Sequence, residues 1–254
     1  MTKLKVDLHV HCAEDPVDHI AYSAEQLIEE AAKKGFDALA IANHRVVTYS
    51  RKLALYAERR GIVLIPAIEK LIERKHVLLV NVDWSTHTID TFQELRRWKN
   101  GNSLIIAPHP CFPKGTCLGS ELERNIDLFD AVEYSYFYSS IINFNKKAKD
   151  IAEKHKLPLV GSSDCHNVCD LGSTYTLVES EKDPDAIVDA VRNGKTEVVT
   201  KPLPLLRVGA RGVRGVVVSL VETVIQQTYG RLTGNLIFEG KTAANRSNRV
   251  RGET

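Results

Sequence analysis

The sequence predicts an α/β chain whose parallel strand and helix units close into a barrel with one ligand-rich mouth, and three observations carry that reading. Short apolar runs alternate with longer segments of helical period. Histidine and acidic residues recur just after those runs, at nearly every predicted strand, whereas a doubly wound open sheet would gather them at one crevice. The 254 residues, 43% of them hydrophobic, suffice for one large domain with an appendage.

In chain order, Val6-Asp7-Leu8-His9-Val10-His11 alternates like a strand, so His9 and His11 project from one face as a bidentate metal grip. Ser23-Ala24-Glu25-Gln26 is a capping box that opens a helix with Leu27, Ile28, Ala31 and Ala32 on one side and Gly35 at its end. Ala38-Leu39-Ala40-Ile41 leads into Asn43-His44, and a helix over residues 50–60 stops at Gly61. Val63-Leu64-Ile65-Pro66 leads to Glu69. His76 precedes Val77-Leu78-Leu79-Val80 and is the one candidate ligand at the start of its run. Thr91-Phe92-Gln93-Glu94 opens a helix that ends near Gly101, after which Leu104-Ile105-Ile106-Ala107 leads to Pro108-His109-Pro110. Ala131-Val132-Glu133 is strand-like, residues 141–156 are helical, and Pro158-Leu159-Val160-Gly161 leads to Asp164-Cys165-His166. The last helix, residues 183–193, has Asp183 as cap, Pro184 in its first turn and Gly194 closing it.

No apolar stretch approaches the roughly 20 residues of a membrane span, and Met-Thr-Lys-Leu-Lys runs into a strand without a signal-peptide core. A cytoplasmic protein with no membrane partner is therefore expected. The five cysteines, Cys12, Cys111, Cys117, Cys165 and Cys169, argue by their odd number against a disulfide framework. Cys12 and Cys165 neighbour His11 and His166, so in extended chain they point the other way and are expected as buried or supporting thiols. Residues 201–254 hold nine Lys and Arg against three Asp and Glu, a charge of +6 that leaves −4 on the first 200. The body is thus no basic nucleic-acid platform, whereas the tail could be one. Residues 1–200 read as the barrel and 201–254 as a basic extension. Its run Val216-Val217-Val218-Ser219-Leu220-Val221 is expected to dock on the barrel or at a homo-oligomer interface.

Imidazole and carboxylate ligands suit zinc, manganese or iron and disfavour a calcium site. A carboxylate such as Glu69 can bridge two cations while neutral imidazoles complete each shell. The motifs resemble those of the PHP (polymerase and histidinol phosphatase) superfamily over about residues 4–200. His9-Val10-His11 matches its His-x-His motif. Ala42-Asn43-His44 resembles the second motif, usually Thr-Asp-His, Ala107-Pro108-His109-Pro110 the third, and Gly161-Ser162-Ser163-Asp164-Cys165-His166 the fourth. Glu69 looks like the bridging glutamate and His76 like an additional ligand of many members. Asn43 for aspartate and Ala67 for glycine depart from the pattern and imply altered tuning of an intact site.

The resemblance implies a distorted (β/α)7 TIM-like barrel holding two or three divalent transition-metal ions, Zn, Mn or Fe. It implies the metal ligands His9, His11, Asp15, His44, Glu69, His76, His109, Asp164 and His166, with Glu14 and Asp18 as competitors of Asp15. His9, His11, Glu69 and Asp164 would share one site, His76 and His109 a second with Glu69, and His44, His166 and Asp15 a third. A metal-activated hydroxide would attack phosphorus, with Asp164, His166 and Glu69 as the catalytic group. Arg45 and Lys114 are candidates to hold a substrate phosphate or else solvated surface charges. Tyr134, Tyr136 and Tyr138 share a face that either packs the barrel or stacks a nucleobase, while His19, His87 and His155 lack companion ligands and read as structural.

The expected function is a metal-dependent phosphoesterase, of phosphatase or nuclease type, acting on a small phosphorylated metabolite or a nucleotide or oligonucleotide end. The alternatives are a non-catalytic RNA-binding or assembly subunit and a metal-dependent amidohydrolase. A purely structural barrel has no need to gather six histidines in one mouth. Truncation after Pro202 is expected to leave metal content nearly intact while changing oligomeric state or salt-dependent nucleic-acid affinity. Elemental analysis and binding at two ionic strengths test this, and loss of metals would place the tail within the barrel's own fold.

Overall fold

The computed structural model of the protein describes residues 3–204, so the expectations for the tail, including the docking of Val216-Val217-Val218, lie outside the described residues. Nine strands form one sheet: β1 (Lys3–Val10), β2 (Ala38–Ile41), β3 (Val63–Ile72), β4 (Lys75–Val80), β5 (Leu104–Ala107), β6 (Ala131–Ser135), β7 (Leu159–Ser162), β8 (Thr174–Glu179) and β9 (Thr196–Thr200). Their spatial order is β7-β6-β5-β4-β3-β2-β1-β8-β9. Six α-helices accompany them: α1 (Ala24–Lys33), α2 (Arg51–Glu58), α3 (Phe92–Trp98), α4 (Glu121–Arg124), α5 (Asn145–His155) and α6 (Pro184–Arg192). None of the described helices is long and apolar enough to cross a membrane.

The helix signals act where the sequence places them. Ser23 and Gln26 close a capping box on α1, Thr91 and Glu94 another on α3, and the Asp183 carboxylate accepts the amides of Asp185 and Ala186 at the start of α6. One helix starts later than predicted. Residues 141–144 fold into a loop because the Ser139 hydroxyl takes the amides of Ile141 and Ile142, and buried Asn145 clamps Ser135 through both its amide N–H and its carbonyl.

The barrel is α/β as expected, but its wall is not a strict repeat of seven strand–helix units. Glu73 and Arg74, both with positive φ (47° and 67°), form a two-residue hairpin that turns β3 back as antiparallel β4, which pairs in turn with antiparallel β5. That reversal accounts for His76: on a strand that runs away from the mouth, the ligand position is at the start. Strands β1 to β7 curve round until Val10 bridges Cys165 just beyond β7. Below that bridge the antiparallel pair β8–β9 fills the seam, with β8 laddered onto β1. Here β7 is held by a side chain, since Thr176 Oγ1 accepts from Gly161 N–H and donates to Gly161 C=O.

The core lies in layers. Leu4, Val6 and Leu8 share an interior cluster with Ala40, Ile65, Leu78 and Ile106, sealed by Ile187, Val188 and Val191 of α6. Helix α6 lies across the end opposite the ligands, where its Asp185 accepts from Asn81 after β4 and its Arg192 donates to the Ser103 carbonyl before β5. Val10 and Cys12 belong to a different cluster, with Leu27, Ile28 and Ala31 of α1 on the outside. A register shift between Asp7 and Val10 reconciles the two patterns. A regular strand with Leu8 inside would turn His9 outward, but the bulge shifts the phase by one residue, so Val10 faces α1 and both histidines face the barrel.

The seam yields a direct test. A Cβ on Gly161 would stand 2.8 Å from both Tyr175 O and Val198 Cγ1, closer than van der Waals contact allows. Gly161→Ala is expected to destabilise the fold by about 1–3 kcal/mol. Urea unfolding measures it, and an unchanged midpoint would show that β7 does not need this close approach.

Candidate metal centre

The mouth collects its side chains from six segments of the wall. β1 supplies His9 and His11, the turn after β2 His44, β3 Glu69, β4 His76, the turn after β5 His109, and the turn after β7 Asp164 and His166. Glu69, only 2% exposed, lies at the centre. Its Oε2 is 3.5 Å from His9 Nε2, 3.6 Å from His11 Nε2 and 3.0 Å from His44 Nε2. Its Oε1 is 2.6 Å from His76 Nδ1 and 3.2 Å from His109 Nε2. Asp164 Oδ1 completes the first group at 3.3 Å from His11 Nε2 and 3.7 Å from His9 Nε2.

These separations fit metal ions. Around a tetrahedral ion with bonds of roughly 2.0–2.1 Å, neighbouring ligand atoms stand about 3.3–3.4 Å apart. His9 Nε2 faces His11 Nε2 at 3.1 Å, and two neutral acceptors held lone pair to lone pair need a cation or a proton between them. His76 Nδ1 is buried 2.6 Å from Glu69 Oε1 outside regular hydrogen-bond geometry, an approach that suits two ligand atoms of one ion. Three-ligand groups that could hold an ion are His9–His11–Asp164, His11–His44–Glu69, Glu69–His76–His109 and Asp15–Asp18–His44.

Surrounding acceptors select the tautomers. Glu133, fully buried on β6, faces His9 Nδ1 at 3.1 Å, and Asp15 Oδ2 faces Nδ1 of both His11 (3.0 Å) and His44 (2.9 Å). Each leaves Nε2 free to point at Glu69 or Asp164, the carboxylate–histidine arrangement that orients metal ligands. Cys117 Sγ lies 3.3 Å from His109 Nδ1 and plays the same part. Asp15 accepts on both oxygens, Oδ1 from the amides of Val17 and Asp18, while its Oδ2 faces the two imidazoles. The acid that faces His166 is Asp18, 3.0 Å from Nε2.

Backbone strain collects at the same places. His109 (φ 30°), Asp164 (φ 42°) and Arg45 (φ 62°) all occupy the left-handed region that non-glycine residues avoid. The His109 amide is held there by a 2.6 Å bond to Glu133 Oε2, and the Arg45 amide by the Glu69 carbonyl.

Charge and burial oppose each other throughout. Burial would push the carboxyl of Glu69 up, but His76, His9 and His109 hold it well below its usual range. Burial would likewise lower His44 and His166, yet Asp15 and Glu69 carry His44 up to about 10, and Asp164 and Asp18 carry His166 to about 9. His76 is lowered by burial despite Glu69. Asp7, buried in the β1 bulge, is pushed up to about 7 even though it accepts the amides of Ser163 and His9.

Arg45 and Lys114 are exposed beside the mouth, and neither forms an ion pair with a described residue. The tyrosine row packs: Tyr138 accepts from Thr200 and meets Tyr134 edge-on at 5.4 Å. His19, His87 and His155 belong to none of the four ligand groups. Asn43 is no ligand either. Its carbonyl accepts from Cys12 N–H while its amide donates to Cys12 Sγ and Thr48 Oγ1, donations that an aspartate could not make. Cys12 and Cys165 are buried supporting thiols, as expected. Sequence reasoning missed Glu133, although an acid inside the strand-like Ala131-Val132-Glu133 was its signal. It missed Cys117, for which there was none.

Residues 143–196, which contain Asp164 and His166, match a family model described as PHP-associated. The fold is shared with a "putative metal-dependent phosphoesterase" of Bifidobacterium adolescentis ATCC 15703, at 15% identity and a TM-score of 0.53 over 79% of this chain and 97% of the other. Over residues 143–196 the chain is similar to the PHP-associated family. Two further structures that share the fold are PsfC from Pseudomonas syringae PB-5123 (18% identity, TM-score 0.59, 87% and 98% covered) and an amidohydrolase from Chromobacterium violaceum with bound sulfate and no metal (17%, 0.51, 81% and 96%). No curated protein matches the chain in sequence.

Asp15 and Glu69 raise His44 to about 10, and Asp164 and Asp18 raise His166 to about 9, so a divalent ion that takes these imidazoles displaces protons. Metal affinity is therefore expected to rise with pH through the neutral range and to weaken on acidification, with protons released on binding. Calorimetry in buffers of different ionisation enthalpy measures the release, and pH-independent affinity between about pH 6 and 9 would contradict it.

Proposed function

We propose that the protein is a metal-dependent phosphoesterase that binds two or three divalent transition-metal ions and hydrolyses a small phosphorylated metabolite or a nucleotide end. The observation that carries the reading is the division of Glu69, one oxygen toward His9, His11 and His44 and the other toward His76 and His109. A carboxylate so divided suits two cations at once. Bound there, such ions would supply a nucleophilic hydroxide at neutral pH and would neutralise charge on the phosphoryl oxygens.

The remaining roles belong to the chain. Glu133, Asp15 and Cys117 keep the imidazole Nε2 atoms directed inward. Asp164 and His166, whose side chains are 21% and 39% exposed, form the edge that substrate meets first, and we assign them to metal holding and to proton handling at the leaving oxygen. Arg45 and Lys114, exposed and without acidic partners among the described residues, are assigned to the substrate phosphate. Residues 1–200 are assigned to the catalytic barrel and 201–254 to a basic extension.

A phosphate-release screen over sugar phosphates, mononucleotides, bisphosphates and short oligonucleotides, run beside amide substrates, tests the assignment. Release is expected to vanish on chelation and to fall by at least about 100-fold in His9→Ala/His11→Ala. Glu69→Ala is expected to lower metal content at more than one site. Undiminished release from the double variant would sink the phosphoesterase reading, and turnover confined to amides would replace it with amidohydrolysis.

A further inference from the structure

We propose that Phe112, Phe137 and Phe144 form an aromatic subsite beside the metal centre that receives a planar aromatic group carried by the phosphorylated substrate. The proposal rests on the phosphoesterase reading and names the class of substrate. Phe112 stands three residues after His109 in the same turn, its ring edge-on to the imidazole with centroids 6.4 Å apart. Phe144 lies 5.3 Å and Phe137 6.3 Å from Phe112, so three rings from two separate turns converge at one side of the mouth.

None of the three belongs to the buried clusters of the barrel. Phe144 is 37% exposed, and the adjoining Ile141 and Ile142 are 73% and 46% exposed. The segment that presents them is built: Ser139 N–H donates to the Ile142 carbonyl, the Ser139 hydroxyl takes two amides, and Asn145 fixes the segment to Ser135. Apolar side chains displayed on a clamped turn are a feature of the surface and not fraying.

The other side of the mouth has opposite chemistry, with Asp18, Asp164 and His166 in contact and Arg45 next to His44, which faces Asp18. A phosphate drawn to the polar centre leaves the rest of its ester to lie along the aromatic side. A flat π-face meets Phe112 and Phe144 by stacking or edge contact, an interaction that every base offers irrespective of its hydrogen-bonding edge.

The test is calorimetric binding of adenosine 5′-monophosphate and ribose 5-phosphate to the full-length, metal-supplied protein, since the two probes differ only by the base. The wild type is expected to favour the base-bearing probe by about tenfold or more, and Phe112→Ala and Phe144→Ala are each expected to cut that ratio by about fivefold. Phe112→Tyr should retain the ratio, and Phe112→Leu, which keeps bulk without a π-face, should lose most of it. Equal affinities in the wild type, no binding of the base-bearing probe at millimolar concentration, or a ratio unaltered in both alanine variants overturns the proposal. Phosphate release is assayed separately, so its absence with the base preference intact would fail the phosphoesterase reading alone.

Discussion

A nearly dry carboxylate surrounded by five imidazoles sets the terms for the rest of this molecule. Glu69 has His9, His11, His44, His76 and His109 within 3.6 Å, and an uncompensated charge at that depth costs several kcal/mol. Compensation has to come from all round the wall, and this explains why so many segments end at one point. The β1 bulge turns two histidines inward, the reversal of β4 brings His76 to the mouth, and the bridge between His44 and Glu69 holds β2 and β3 in step at the centre.

The same demand explains where the backbone departs from its easy conformations. His109, Asp164 and Arg45 sit in left-handed geometry that costs on the order of 1–3 kcal/mol each. The Arg45 amide is tied to the Glu69 backbone carbonyl, Ser163 beside Asp164 to the Asp7 carboxylate, and the His109 amide to Glu133, which also orients His9. Removing Glu133 therefore affects a tautomer and a turn together.

Much of this was legible in the sequence because it is local. Capping boxes, the helix-closing glycines and the apolar runs each depend on a few neighbouring residues, and ligand-type side chains at strand ends stand out from an apolar background. What escaped was set by distant partners. Nothing in Val6-Asp7-Leu8-His9 announces a bulge, since the shift exists only relative to β2 and α1. The antiparallel course of β4 was hinted at by the odd position of His76, but the hairpin residues Glu73 and Arg74 lack the glycine or asparagine that usually marks such a turn. Asp15 could be found but not given its task, because its two imidazole partners are 4 and 29 residues away. Asn43 stood out as a departure from the usual aspartate, but that its amide clamps Cys12 and Thr48 depends on the folded chain.

The seam between β1 and β7 has one more consequence. The wall is closed there by the Val10–Cys165 bridge, a 3.3 Å bond from His11 N–H to the Cys165 carbonyl, the Asp7–Ser163 contact and a threonine hydroxyl, in place of a continuous ladder. His9 and His11 stand on one side of that line and Asp164 on the other. An ion gripped by all three would act as a rivet through the most easily parted joint of the cylinder. Breathing of the wall and release of the ion then become one motion, with the amide protons of His11 and Ser163 as its natural reporters in hydrogen exchange.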